Sequence, residues 1–323
     1  MKAVTFKKFG SPEVLEITNI EIGEPGPKEV LVKNLSIGLN FIDTYHRSGL
    51  YPIPLPSGVG LEACGKIEEI GSGVKLFKVG DRVTHASMPI GAYAEKQIMP
   101  EDKLISVPDG VSNEVASCIT LKGITAEYLL HRAYPLKKGD KVLYHAAAGG
   151  LGQILCPWAN AIGAEVIGTV GSKEKVVIAK NNGCHHVINY TDKNFVEEVE
   201  KIVGKNGIDV VYDGVGLKTF EGSIDVLKIR GMMVAFGNAS GYVDTIDVKK
   251  HINTKGLFFT RPSIAHYTLK REELEDSAKK VFDAVLSGKF KVEISKKYSL
   301  DEAKKAHEDL EGRKLTGPAV ILP

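Results

Sequence analysis

The sequence predicts an α/β protein of two domains, one rich in β-strands and one built on a doubly wound parallel sheet. Three observations predict it. The chain has 323 residues, more than one small domain needs and enough for a sizeable core. Its first third is patterned as short alternating strands, and its middle as strands alternating with helices. At residues 141–152 an apolar strand runs directly into a small-residue turn that opens a helix.

Up to about residue 120, period-two alternation places strands at Lys2 to Phe6, Val30 to Ile37, Cys64 to Ile70, Arg82 to Ala86, Tyr93 to Ile98 and Lys103 to Val107. Gly71-Ser72-Gly73, Val79-Gly80-Asp81 and Pro108-Asp109-Gly110 supply turns between apolar runs. From about residue 122, strands are expected near 141–146, 164–170, 186–189, 208–213, 231–236 and 256–260, which completes a six-stranded sheet. A helix over about 270–287 follows, with Leu274, Ala278, Val281 and Val285 on one face. A second starts near 300, where Ser299 and Glu302 form a capping box, and Gly317 to Leu322 reads as a strand. Because the parallel sheet is complete by 260, the tail is expected to return to the first domain. This divides the chain into 1–121 with 262–323, and 122–261.

The turn reads Lys141-Val142-Leu143-Tyr144-His145-Ala146-Ala147-Ala148-Gly149-Gly150-Leu151-Gly152. Ala147, Gly149 and Gly152 occupy the small positions of a dinucleotide fingerprint, with alanine in place of the first glycine. Small residues there let the backbone turn tightly and approach a pyrophosphate at a helix N-terminus. Ile154, Leu155, Trp158, Ala159 and Ile162 continue at helical spacing, and a second strand ends at Val170, completing a βαβ unit. An acid at the end of that strand would bind ribose hydroxyls and repel a 2′-phosphate. The chain instead has Gly171-Ser172-Lys173-Glu174-Lys175, with a hydroxyl and two ammonium groups, which points to NADPH. The alternative is that Lys173 and Lys175 are solvated residues of a helix start.

Lysine and arginine number 42 against 40 acids, a net charge of +2, which gives no general attraction to nucleic acid or membrane. Small molecules and like chains are the expected partners. The N-terminus lacks a secretory pattern and no apolar run is long enough to span a bilayer, so a cytoplasmic protein is expected. Cys64, Cys118, Cys156 and Cys184 are scattered without metal-ligand spacing and read as buried thiols. His145, His185 and His186 have no evident carboxylate or cysteine partner and read as structural.

The order of motifs resembles the medium-chain dehydrogenase/reductase superfamily over the whole chain, and within it the zinc-free, ζ-crystallin-like NADPH:quinone oxidoreductases. The segments that carry the resemblance are Gly38 to Pro52, Leu121-Lys122-Gly123-Ile124-Thr125-Ala126, the phosphate turn, Val187 to Tyr190, Tyr212 to Gly216 and Phe236 to Gly241. The resemblance implies a GroES-like catalytic domain and a Rossmann domain. In zinc alcohol dehydrogenases a cysteine stands in the place of Asn40, and a Gly-His-Glu run stands where this chain has Gly60-Leu61-Glu62. Two ligands are therefore missing, and no bound metal is expected.

Loss of zinc fits a quinone acceptor. A reduced ketone passes through an alkoxide, with a conjugate acid near water's pKa of about 15.7, whereas a reduced quinone leaves a phenolate with a pKa of about 10. At 1.36 kcal/mol per unit, the site must supply roughly 8 kcal/mol less anion stabilisation.

By resemblance, Asn40, Asp43 and Tyr45 lie toward the nicotinamide and Tyr51 at the mouth of the quinone pocket. Tyr45 or Tyr51 is a candidate proton donor, although tyrosines beside prolines also serve as packing. Lys122 and Thr125 are expected along the nicotinamide ribose, unless they are a helix-start lysine and a capping threonine. Gly149, Gly150, Leu151 and Gly152 would hold the pyrophosphate, Gly171, Ser172 and Lys175 the 2′-phosphate, and Tyr190 the adenine. Phe236, Asn238, Ser240 and Arg261 would contact the nicotinamide side. Arg313 either reaches the nucleotide or is a surface arginine. The resemblance also implies a homodimer through segments near Tyr242 to Val248 and Leu257 to Thr260. Two other activities fit the same pattern: NADPH-dependent reduction of α,β-unsaturated aldehydes or ketones, and a non-catalytic NADPH-binding role of the crystallin or RNA-binding kind.

Overall fold

The computed structural model describes residues 1–323 as two compact units. One comprises Met1–Lys122, Thr268–Leu286 and Val292–Pro323; the other comprises Gly123–Tyr267 and Ser287–Lys291.

The first unit is built around the strand Glu29–Gly38. Along its seven-stranded sheet the order is Lys296–Ser299, Ala319–Leu322, Glu29–Gly38, Glu62–Ile70, Arg82–Ala86 and Ile105–Ser106, with Lys96–Pro100 also paired to Glu29–Gly38. Side chains of successive strand residues face opposite ways, so the central strand feeds two cores. Val30 and Val32 pack with Ile67, Val83, Met99 and Leu104. Ile37 joins Leu39, Ala63, Tyr93, Tyr298 and Ile321. The C-terminal strand pairs antiparallel at Val320 with Gly38, immediately before the short helix Phe41–Ser48. A smaller sheet orders Glu16–Asn19, Lys2–Phe6 and Ser57–Gly58.

The second unit holds six parallel strands in the order His186–Asn189, Glu165–Val170, Lys141–His145, Ile208–Asp213, Leu227–Ala235 and Phe258–Thr260. Numbered by sequence, this is the doubly wound order 3-2-1-4-5-6. The reversal of direction at Lys141–His145 puts the small-residue turn at the switch point. Every residue of Ile208–Asp213 is buried, as expected for a parallel strand covered on both faces. Asn194 caps the helix Phe195–Val203 by accepting from the Val196 amide, and left-handed Gly163 ends the helix Gly152–Ile162.

Several boundaries differ from expectation for local reasons. The strand expected from Tyr93 begins at Lys96, because the Tyr93 amide and carbonyl are taken by Val59 and Val4. The strand expected at Lys103 to Val107 shrinks to Ile105–Ser106 after a 3-10 turn at Glu101–Lys103. Glu101 is held there by the amides of Lys75 and Leu76, each 2.8 Å from its carboxylate. The strand expected from 231 starts at Leu227, with Arg230 at φ 60° and a register shift opposite Ile208 and Val210. Glu16–Asn19, a polar strand, was not expected from its pattern.

Residues 262–267 and 287–291 belong to the second unit, not the first as the sequence suggested. Tyr267 stacks on Tyr128 at 4.5 Å between centroids and 9° between planes, and Phe290 rests on Trp158 at 5.7 Å. No helix is long and apolar enough to cross a membrane.

Leu143 is fully buried on the central strand of the second unit. Leu143→Ala is expected to cost about 2–5 kcal/mol, seen as a lower urea midpoint with an unchanged slope.

Candidate active site

In the second unit the chain leaves Lys141–His145 through Ala146, held in the left-handed region at φ 62°. The Ala147 amide donates to the Thr169 carbonyl at 3.0 Å, which ties the turn to the neighbouring strand. Small side chains are required by space. A Cβ at Gly152 would lie 2.3 Å from the Ala147 carbonyl oxygen, and one at Gly168 would lie 2.6 Å from the Ala147 Cβ and 2.8 Å from Cys184 Sγ. Gly149 is exposed, with only the Ala146 oxygen near its absent Cβ. The amides of Gly150 and Leu151, at the open start of the helix Gly152–Ile162, have no backbone acceptor. A backbone that an anion can approach closely, beside unpaired amides at a helix N-terminus, fits a pyrophosphate.

At the end of the second strand, Ser172 caps the helix Lys173–Asn181 by accepting from the Lys175 amide at 3.4 Å. A Cβ on Gly171 would meet the Tyr190 hydroxyl at 2.6 Å, so Gly171, Ser172, Lys175 and Tyr190 form one cluster. Glu174 is held below the usual carboxylate range by its own backbone amide and then by the Ser172 hydroxyl. The helix start therefore attracts negative charge, the property a 2′-phosphate would use.

His145 finds partners the sequence did not reveal. Its ring nitrogens lie 2.9 Å from Thr169 Oγ1 and 2.9 Å from Ser223 Oγ. Ser223 donates to Asp213 Oδ2 at 3.0 Å, and Thr219 donates to the same oxygen at 2.7 Å. Asp213 Oδ1 accepts the amides of Val215 and Gly216, so its carboxylate is fully engaged. Burial lowers the His145 pKa, keeping the ring neutral. This chain joins the ends of three adjacent strands beneath the turn. His186 does have a carboxylate partner, Glu165, at 3.1 Å across neighbouring strands.

Beyond the fifth strand, the Phe236 ring closes against Gly214, where a Cβ would be 2.8 Å from Cζ. The Ser240 hydroxyl donates to the Val215 carbonyl at 2.8 Å and accepts the Lys218 amide at 3.0 Å, so it pins the loop. Asn238 is buried and Arg261 exposed.

The first unit brings together Asn40, Glu62 and Lys122. Asn40 Nδ2 donates to Glu62 Oε2 at 2.7 Å, and Lys122 Nζ donates to Asn40 Oδ1 at 2.6 Å and to the Leu39 carbonyl at 3.2 Å. The Leu121 amide reaches Glu62 Oε1 at 2.7 Å. Burial pushes the Glu62 pKa up and the Lys122 ammonium opposes this. Lys122 and Thr125 sit inside the helix Asn113–Tyr128, so neither a helix-start lysine nor a capping threonine describes them.

Asn40 also begins the helix Phe41–Ser48 in a capping box with Asp43. Asp43 is completely buried, and its Oδ2 accepts the Asn40 amide at 2.9 Å and the Tyr93 hydroxyl at 3.0 Å. Its carboxyl faces inward, which makes it a support for Asn40 and not an exposed contact. Tyr93 lies 3.3 Å from His307 Nε2, His307 Nδ1 lies 3.1 Å from Arg47, and Arg47 clasps Glu311 with both guanidinium ends at 3.0 and 2.6 Å. Tyr45 is buried, Tyr51 half-buried, and their rings meet edge-on at 5.1 Å. Arg313 is exposed, at φ 57° just past the last helix.

No group of three or more His, Cys, Asp or Glu side chains is gathered to hold a metal ion, so the residues present do not fit a catalytic zinc.

Residues 26–109 match the alcohol dehydrogenase GroES-like domain, and residues 150–285 match the zinc-binding dehydrogenase domain. A quinone oxidoreductase of Pseudomonas aeruginosa is 45% identical over 323 residues, covering 100% of this chain and 99% of that protein. The chain belongs to the quinone oxidoreductase family of the medium-chain dehydrogenases/reductases. The Escherichia coli quinone oxidoreductase solved in complex with NADPH superposes with a TM-score of 0.97 at 44% identity, each chain covered at 100%. A 2-haloacrylate reductase from a Burkholderia species is also 45% identical, covering 100% of this chain and 99% of that one. Within this quinone oxidoreductase fold, sequence reasoning assigned no site role to Tyr93, read only as a strand residue, to Arg47, present only within the Gly38 to Pro52 segment, or to His307 and Glu311. It cited Glu62 only as a leftover zinc ligand. Their partners lie far away along the chain, and no local motif announces them.

Burial pushes the Asp43 pKa from 3.8 up to about 7. A carboxyl raised on folding binds its proton more tightly in the folded chain, so its contribution to stability falls as pH rises through that window. Burial lowers His46 and His85 to about 4 and His307 to about 3, and these act in the opposite direction. Asp43→Asn isolates the carboxyl. Relative to wild type, the variant is expected to gain stability between pH 4.5 and 7.5 by up to about 4 kcal/mol in urea titrations, whereas a pH-independent difference would contradict the assignment.

Proposed function

We propose that this chain is an NADPH-dependent quinone reductase that works without a metal. The observation that carries the reading is full-length similarity, at 44% identity and a TM-score of 0.97, to a quinone oxidoreductase complexed with NADPH. NADPH, when bound, supplies a hydride. The protein's part is to bind, orient and stabilise charge.

In this reading Gly149, Gly150, Leu151 and Gly152 receive the pyrophosphate, and Gly171, Ser172 and Lys175 take the 2′-phosphate beside Tyr190. Phe236, Asn238, Ser240, Arg261, Lys122 and Thr125 serve the nicotinamide half, and Arg313 reaches the nucleotide. Asn40, backed by Asp43, fixes the polar floor of the first unit's site, and Tyr45 and Tyr51 form the aromatic wall for a quinone ring. Edge-to-face aromatic contacts favour such a flat, electron-poor partner. A second copy of the chain would pair along the edge strand Phe258–Thr260, where Phe258 is exposed. An unpaired strand edge is a ready template for another strand.

The 2-haloacrylate reductase relative supports a second reading, reduction of an electron-poor C=C bond. Rates of NADPH oxidation with an ortho-quinone, a para-quinone, 2-chloroacrylate and an α,β-unsaturated aldehyde separate the two. Quinone turnover insensitive to chelator is the expected result; exclusive turnover of an alkene would replace it. In the same assay Lys175→Met is expected to weaken NADPH roughly ten- to a hundredfold, from one lost charge-assisted hydrogen bond, and to leave NADH unchanged.

A further inference from the structure

Between the strands Lys141–His145 and Ile208–Asp213 the paired register runs to Tyr144 with Tyr212 and stops before His145 and Asp213. The strand order reverses at this point, and in open α/β sheets that reversal forms the ligand crevice. Beyond the last pair the two strand ends are joined by side chains. His145 Nε2 lies 2.9 Å from Ser223 Oγ, and Ser223 Oγ lies 3.0 Å from Asp213 Oδ2. On its other side His145 is still paired through the backbone with Thr169, and the Thr169 hydroxyl lies 2.9 Å from His145 Nδ1. All four side chains are buried, so none is open to a ligand.

The line runs in one direction. Asp213 receives the amides of Val215 and Gly216 on one oxygen and the hydroxyls of Thr219 and Ser223 on the other. A carboxylate only accepts, so the single Ser223 hydroxyl proton goes to Asp213, and the Ser223 oxygen accepts from His145 Nε2–H. Nδ1 is then the bare nitrogen, and the Thr169 hydroxyl donates to it. The other neutral tautomer would leave Nε2 facing a hydroxyl with no hydrogen to give. The Phe195 ring meets the imidazole at 5.1 Å and 85° and holds its plane.

Each end of the line carries a loop. The Thr169 carbonyl accepts the Ala147 amide at 3.0 Å, which fixes the turn. Asp213 fixes Val215 and Gly216 through its carboxylate, and its carbonyl accepts the Phe236 amide at 2.8 Å. The Val215 carbonyl in turn accepts the Ser240 amide at 2.7 Å. A ligand that bridges two loops binds tightly when their spacing is set before it arrives, since otherwise ordering them costs affinity.

We propose that His145 is a positioning residue for the dinucleotide: it sets the spacing between the turn that takes the pyrophosphate and the loops after Asp213 and Ala235 that serve the nicotinamide half. This deepens the NADPH reading and rests on it. His145 touches neither half of the dinucleotide and acts through its neighbours in the line.

The test compares dissociation constants, by calorimetry, for NADPH and for adenosine 2′,5′-bisphosphate, a fragment that lacks the nicotinamide half. Thr169→Val and Ser223→Ala each cut one end of the line, His145→Leu removes both bonds, and His145→Gln keeps one acceptor and one donor. The three cuts are expected to weaken NADPH about tenfold, the scale of one lost buried hydrogen bond, and to leave the bisphosphate within about twofold. His145→Gln restores most of the NADPH affinity. Thr169→Val combined with Ser223→Ala is no weaker than the more damaging of the two alone, because releasing either end frees the ring. Equal losses for both ligands would reduce His145 to a prop under the turn and overturn the proposal. Unchanged NADPH binding, additive losses in the double variant, or no rescue in His145→Gln would overturn it too. Should His145→Leu fail to fold, the other variants carry the same comparison. In wild type, long-range proton–nitrogen NMR, assigned against His145→Gln, is expected to show the Nε2–H form; an Nδ1–H or doubly protonated ring would overturn the directed line. Wild type that fails to bind NADPH at all would overturn the cofactor reading instead.

Discussion

The site in the first unit depends on the two hydrogen bonds made by the Asn40 side-chain amide. Taking one charge out of water costs several kcal/mol after relaxation, and this unit buries a carboxylate and most of an ammonium within one group. The amide makes that tolerable by donating to one and accepting from the other, while the Leu121 amide takes the second carboxylate oxygen. The same residue begins the helix that carries Tyr45. Gly38 belongs to this constraint too, since a Cβ there would stand 2.3 Å from Glu62 Oε2 and 2.0 Å from the Ser117 carbonyl oxygen.

The second unit solves a different problem with a different network. A backbone turn that must stay open to an anion needs rigid support from below. The run Thr169, His145, Ser223, Asp213 supplies it by joining neighbouring strand ends through side chains whose bonds are satisfied. In the first unit one oxygen of buried Asp43, Oδ1, has no partner. A closed polar network stiffens a fold, whereas an incomplete one leaves a group poised to change its protonation. The two units thus divide the work between a stiff cradle and a responsive support.

Much of the fold was legible in the sequence because its signals are local. Val142 to His145 followed by small residues can be read within a dozen positions, and the alternation of strand and helix after it predicts the doubly wound order. Boundaries failed where long-range partners intervened. Tyr93 reads as a strand residue, yet its backbone is claimed by Val59 and Val4, and residues 262–267 follow Tyr267 onto Tyr128. For the site, Gly171, Ser172 and the turn glycines were readable by position. Lys122 was found only through family resemblance, and its union with Glu62 was not found at all. Arg47, His307 and Glu311 carry no periodicity or spacing that links them, since the fold alone brings residues from opposite ends of the chain into one hydrogen-bonded line.

The long reach of this hydrogen-bonded line bears on how the protein is made. The strand that pairs with Gly38 is Ala319–Leu322, and the groups that complete the line behind Asp43 come from the final helix. Emerging from a ribosome, the chain presents Asn40 well before these supports. The inserted parallel sheet, whose strands lie within a continuous middle stretch, has all its pairing partners before the helix Ala303–Glu311 and the strand Ala319–Leu322 are made. During synthesis the nucleotide cradle is therefore able to form before the groups behind Asn40 and Asp43 have been added.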